Sequence, residues 1–192
     1  MPQTLPSVKS TLVIVESPAK CNKIEGFLGP GYKCIATFGH IQELKDLKDV
    51  DIANNFTPSF TPSASKSQQI GKLRKAIRES GEVLLATDDD REGEGIAWHI
   101  CSLFKLPLTT KRIIFHEITK PAILQAVRNP VSLNMNLVSA QQSRQILDLI
   151  VGFKLSPILW KHITQKSARG LSAGRCQTPA LRIIYDNHQD IM

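Results

Sequence analysis

Two short, unbroken apolar runs punctuate the first half of the chain, TLVIV at residues 11–15 and EVLLAT at 82–87. Runs of this length and β-branched content suit strands covered on both faces, as in a parallel sheet. After the first run, Ser17 and Pro18 stand where a helix takes its N-cap and its first residue. The helix predicted over 18–28 is stopped by Gly29-Pro30-Gly31. A second strand is expected over 32–38, ended by Gly39-His40. Residues 41–64 carry no period and are rich in Asp, Lys, Asn, Thr and Pro, so they read as a long surface excursion of the kind an insertion makes. Helical spacing returns over 65–80 at Ile70, Leu73, Ala76 and Ile77. The second run is followed by a helix expected over 96–104 and a short strand over 112–115. Alternation of this kind predicts an α/β fold, a parallel sheet flanked by helices, over residues 11 to about 116.

Beyond residue 117 the alternation stops and no strand is expected. Thr119 and Pro121 open a helix to about 128, broken by Asn129-Pro130. Residues 137–163 keep helical spacing, with interruptions expected near Gly152 and Pro157. Residues 170–174 form a small-residue loop, and Thr178-Pro179 opens a last helix through 184. The domain division expected from this is a flexible N-terminus at 1–10, an α/β domain at 11–117, and a mainly α-helical partial domain at 118–192.

The formal net charge of +7 and a pI near 9.4 favour polyanions as partners, nucleic acid first among them. The four cysteines, Cys21, Cys34, Cys101 and Cys176, include no C-x-x-C pair and predict reduced thiols rather than a zinc site. The first ten residues lack the apolar stretch of a signal peptide, and no segment has the length of a membrane span. The expectation is a soluble, intracellular, DNA-associated protein with no membrane partner, cytoplasmic if its source is prokaryotic.

The sharpest chemistry lies at the ends of the two apolar runs. Glu16 follows the first, and Asp88 and Asp90 follow the second. Ligands of open α/β sheets gather at the carboxyl ends of the strands, so adjacent strands would bring these three carboxylates into one small volume. Oxygen-only donors favour Mg2+, with Mn2+ as a substitute, and such an ion would serve phosphoryl transfer. Glu92 would be a further ligand or a helix cap, whereas Glu94 is expected to face solvent. Lys20, one turn into the first helix, and Arg91 would reach a phosphate near the metal. An acidic turn that merely caps a helix, and a surface lysine, are the plainer readings of the same residues.

These segments resemble a known family. VESPAK at 15–20 and TDDDREGEGIAWH at 87–99 look like the two halves of the Toprim motif, and their surroundings resemble type IA DNA topoisomerases. Gly39-His40-Ile41, Glu117-Ile118-Thr119, Ala140-Gln141-Gln142-Ser143-Arg144 and Leu171-Ser172-Ala173-Gly174-Arg175 occur in the family's order, so the likeness covers most of residues 11–185. It implies a Toprim-type sheet, then the beginning of a helical domain bordering a single-strand groove. It also implies Glu16, Asp88, Asp90 and Glu92 as the magnesium site and Lys20 near the scissile phosphate, while Arg91 is expected to pair with phosphate or with its acidic neighbours. Glu16 would further take part in proton transfer at the leaving 3′ hydroxyl.

By the same resemblance His40, Arg144, Gln145, Asp148, Phe153, Trp160 and the loop of Ser172, Ala173, Gly174, Arg175, Cys176 and Gln177 would border DNA. Gln145 stands where some relatives carry arginine. Taken on spacing alone, Phe153 and Trp160 would belong to a core-facing apolar stripe, and Arg144 and Asp148 would pair on a helix surface. The family relaxes negatively supercoiled DNA through a 5′-phosphotyrosine, without ATP. Neither Tyr32 nor Tyr185 sits in the motif expected of that nucleophile. The resemblance thus implies a nucleophile outside these 192 residues, such as one on a separate chain, acting on single-stranded or underwound DNA. The alternatives are a single-strand-binding module inactive alone and a standalone Toprim nuclease.

Overall fold

The computed structural model describes residues 9–163 and 171–192. The expected flexible N-terminus lies almost wholly outside the described residues, as does Gly170 at the start of the expected small-residue loop. The chain forms two compact units: Met1–Glu43 with Thr61–Gln141, and Leu44–Phe60 with Gln142–Met192.

The first unit is built on three parallel strands, β1 (Thr11–Val15), β2 (Tyr32–Ala36) and, after the short pieces described below, β7 (Glu82–Ala86), in the order β2-β1-β7. β1 pairs with both neighbours over its whole length, Val15 opposite Ala36 on one side and Ala86 on the other. Its central place explains the unbroken apolar run. Leu12 and Ile14 enter one core layer, and Val13 and Val15 the other, all at most 2% exposed.

Helices cover both faces of this sheet. The first layer is closed by α2 (Ser67–Glu79) through Ile70 and Leu73, and by α3 (Arg91–Phe104) through Ile96, Ala97 and Ile100. The second is closed by α1 (Pro18–Leu28) through Ile24, and by α4 (Lys120–Arg128) through Ile123 and Ala126. This is the α/β architecture expected from the sequence. α1 begins as expected, with Ser17 accepting from the Ala19 N–H and Pro18 in the first turn.

Several boundaries differ from expectation. β2 ends at Ala36, although the N–H groups of Thr37 and Phe38 still donate to the carbonyls of Val15 and Glu16. α3 starts five residues earlier than its apolar spacing indicates, because the Asp90 carboxylate accepts the Gly93 N–H at 2.7 Å and caps the helix there. Residues 112–115 form no strand. Arg112 makes only single-residue bridges, parallel to Leu85 and antiparallel to Val131. The excursion contains paired pieces: β3 (Gln42–Glu43) with β6 (Thr61–Pro62) in the first unit, and β4 (Val50–Asp51) with β5 (Thr57–Pro58) in the second.

Most of the second unit is helical. α5 (Met135–His162) runs without a break past Gly152 and Pro157, where interruptions were expected. A proline in a helix interior costs about 3 kcal/mol through one lost hydrogen bond and a clash, which a long helix can carry without ending. The last helix, α6 (Gln177–Ile191), begins slightly before Thr178-Pro179 and runs beyond residue 184.

Candidate functional site

The register of the sheet decides where the acidic residues fall. Val15 and Ala86 are level on neighbouring strands, so Glu16 and the Thr87-Asp88 pair leave the sheet side by side. The Asp88 N–H donates to the Glu16 carboxylate at 2.7 Å, and Lys20 on α1 forms an ion pair with the Asp88 carboxylate. Half-buried Glu16 is held above the usual carboxylate range. Burial is the first cause, with repulsion from Asp88 and Asp90 added, against the Asp88 N–H and Lys20, which pull it down.

Asp88, Asp89 and Asp90 are exposed. With Lys20 and the segment 115–118 they line an open cleft at the strand ends. Glu117 is on this cleft and accepts from the Thr119 hydroxyl at 3.0 Å, while His116 approaches Asp89 at 3.8 Å. The Glu117-Ile118-Thr119 motif was legible as part of the family likeness, but its place on the cleft was not.

Glu92 turns away from this group. Its carboxylate lies 3.3 Å from His40 Nε2 and accepts from the Gln141 side chain at 3.2 Å. His40 in turn meets buried His99, with the two Nδ1 atoms 3.4 Å apart. Arg91 is exposed at the first position of α3. The structure therefore brings Glu16, Asp88 and Lys20 together, uses Asp90 as a helix cap, and places Glu92 with His40.

Among the described residues no three His, Cys, Asp or Glu side chains form a closed metal cage. The donor set still fits a hard cation. It consists of carboxylates alone, Glu16 experiences repulsion from both aspartates, and a cationic ammonium already lies against Asp88. One or two carboxylates completed by water and phosphate oxygens are a common magnesium arrangement.

Two buried residues under the acidic turn escaped sequence reasoning. Glu94, expected to face solvent, is 3% exposed, and its carboxylate lies 3.2 Å from Arg112, itself fully buried. Burial raises the Glu94 carboxyl, opposed by Arg112 and by the Asn134 N–H. Arg112 also donates from Nη2 to the Asp88 carbonyl at 2.6 Å and from Nε to Thr87 Oγ1 at 3.3 Å. A short apolar segment after an exposed loop gives no sign that its first residue is a buried cation.

In the second unit, Asp148 lies between two arginines, 2.8 Å from Arg175 Nε and 3.8 Å from Arg144 Nε. The i,i+4 pair expected from spacing is thus present, with Arg175 added from the loop. That proximity raises the Arg175 guanidinium further above its ordinary value, through the hydrogen bond first and the charge second. Phe153 and Trp160 are 44% and 47% exposed, so neither lies in a core. The Trp160 indole N–H donates to the Leu171 carbonyl.

The loop before α6 is fastened by its own side chains. Gln177 Nε2 donates to the carbonyl and hydroxyl of Ser172, both at 2.9 Å, and the Gly174 N–H donates to Thr178 Oγ1 at 3.1 Å. The Ala173 N–H donates to Ser156 Oγ at 3.0 Å. Arg175, Cys176 and Gln177 are exposed, and half-buried Gln145 keeps a buried side-chain oxygen without a hydrogen-bond partner among the described residues.

Residues 11–118 match the Toprim domain family, and residues 132–192 match the family described as DNA topoisomerase. DNA topoisomerase 1 of Streptomyces coelicolor is 44% identical over an alignment covering 93% of this chain and 20% of that protein. The chain therefore spans about a fifth of that curated relative. Full-length topoisomerase I from Thermotoga maritima, solved in a monoclinic crystal form, superposes with a TM-score of 0.82 at 42% identity, covering 94% of this chain and 30% of that one. The chain belongs to the Toprim domain family, and the stretch that follows is similar to the DNA topoisomerase family.

Proposed function

We propose that this chain supplies the acidic phosphate-handling centre and part of the single-strand groove of an enzyme that relaxes negatively supercoiled DNA. One strand is cut by a tyrosine outside the motifs carried here, another strand passes, and the break is resealed. The observation that carries the reading is the meeting of Glu16, Asp88 and Lys20 at the ends of two adjacent parallel strands. Glu16, Asp88 and Asp90, with Glu92 alongside, would hold Mg2+, which when bound supplies charge neutralisation and orientation of phosphate oxygens. Mn2+ would substitute.

The chain's own residues do the rest. Lys20, with Nζ against Asp88, would hold a non-bridging phosphate oxygen beside the carboxylates. Glu16, whose carboxylate meets the Asp88 N–H, takes part in proton transfer at the 3′ oxygen on cleavage and on resealing. The tyrosine hydroxyl releases its proton to solvent as its oxygen attacks phosphorus, forming the 5′-phosphotyrosine while the bond to the 3′ oxygen breaks. The number of phosphodiester-type bonds is unchanged, so no ATP is needed.

In the second unit, Arg144 and Arg175 meet phosphates, and Asp148 aligns both. Exposed Phe153 and Trp160 offer faces on which bases stack. The backbone of Ser172, Ala173 and Gly174 approaches the strand, flanked by Cys176 and Gln177, and Gln145 makes a weaker contact than arginine would; in the first unit His40 borders DNA and Arg91 acts near the phosphate of the acidic centre. The test is single-strand DNA binding across a salt series, comparing the chain with a folded Arg144→Ala, Arg175→Ala variant. Loss of two phosphate contacts should make the log–log salt slope shallower by about 1.4. Absence of salt-dependent binding by the intact, folded chain would overturn the groove assignment.

A further inference from the structure

We infer that Arg112 is a positioning residue for the acidic centre, holding the main chain of Asp88 at the height where its carboxylate meets that of Glu16; the inference rests on the divalent-metal reading above. A fully buried arginine is costly, and among the described residues Glu94 is the carboxylate that forms an ion pair with it. A brace between helices would need no more than that pair, and apolar side chains of similar volume would do as well. Here the planar fork does something further. It spans the turn that carries the acids, binding Thr87 and the Asp88 carbonyl on the side of β7 and Glu94 in the first turn of α3.

The main chain of Asp88 is consequently fixed from three directions. Its N–H is bound to Glu16, its carbonyl to Arg112, and the bare backbone of Gly93 packs so closely that a side chain there would collide with it. Freed from Arg112, the carbonyl would swing and carry the Asp88 carboxylate with it. Because the Arg112–Glu94 pair is balanced in charge, its effect on the acids above is one of geometry more than of field.

The experiment compares Mn2+ binding by the 192-residue chain and its variants, with free ion followed by electron paramagnetic resonance and folding checked by circular dichroism and thermal midpoint. Arg112→Lys keeps the charge near Glu94 but cannot donate to Thr87 and Asp88 together. It should weaken Mn2+ binding roughly tenfold, the usual scale for partners that orient metal ligands. Glu94→Gln leaves both of those donors in place but uncovers the buried Arg112 charge, so it should weaken Mn2+ binding by only about threefold, less than Arg112→Lys.

Unchanged binding by a folded Arg112→Lys variant overturns the inference, as does an equal loss in Glu94→Gln, which would make the pair a general brace. Should Arg112→Lys not fold, Thr87→Val removes one acceptor of the fork and leaves the ion pair. It should weaken binding about threefold, and no change overturns the inference. A parent chain that does not bind Mn2+ refutes the metal reading and this inference with it, whereas a binding parent with indifferent variants refutes this inference alone.

Discussion

Asp88 illustrates how much one backbone position is asked to carry. Its amide is bound to Glu16 and its carbonyl to Arg112, and its main-chain O, N and C lie where a side chain on Gly93 would stand. Adding one methyl group at Gly93 forces this packing apart, so Gly93→Ala should destabilise the first unit by about 1–3 kcal/mol, the range for overpacked sites. A thermal or urea midpoint measured on the variant reads this directly, and an unchanged midpoint would mean that the turn yields without cost. Sequence reasoning located Glu16 and Asp88 correctly at strand ends, because the apolar runs before them announce strands and the change to acid is abrupt. It could not see that Asp90 caps α3 or that Glu92 turns to His40, since helix start and side-chain direction depend on packing that a one-dimensional pattern does not carry. Arg112 and Glu94 were illegible for a sharper reason: charged residues signal exposure unless their partner is known, and these two are eighteen positions apart in the chain.

At the level of elements, the central strand was legible because burial on both faces leaves no polar position to blur it. The excursion was not, because its two-residue strands are too short to establish any period. α5 was read as interrupted because Pro157 carries an intrinsic penalty, yet the helix continues and fastens the neighbouring loop. Ser156, buried one residue before the proline, accepts the buried N–H of Ala173. Ser156→Ala leaves that N–H without an acceptor and should cost about 1–3 kcal/mol locally. Hydrogen exchange at the Ala173 amide should accelerate accordingly, and unaltered protection would show that another acceptor takes over. The loop that carries Arg175 is thus tied to α5 by side-chain chemistry that spacing arguments do not reach.

For the molecule as a whole, acid sensitivity is set in part by a histidine in the middle of α3. His99 is fully buried, and burial, with His40 beside it, lowers its pKa from 6.5 to about 3. Between those values the unfolded chain binds a proton that the folded chain does not, so stability falls as pH drops from 6.5 towards 3. Above pH 6.5 the histidine is neutral in both states and contributes no slope. His99→Gln should flatten the dependence of unfolding free energy on pH in that window, as followed by urea denaturation at several pH values. An identical slope in the variant would place the sensitivity in carboxylates alone. The small pairing of β3 with β6 closes the neck of the excursion. Glu43 and Thr61 are opposite each other across that ribbon, so the path from 44 to 60 leaves and returns through adjoining doorposts. Everything between them is, for the sheet, a detachable appendage: its length is free to drift among descendants, or to be spliced out by an engineer in favour of a tight turn, without shifting the register that aligns Glu16 with Asp88. The burden of such surgery would fall on the other unit, to which residues 44–60 belong.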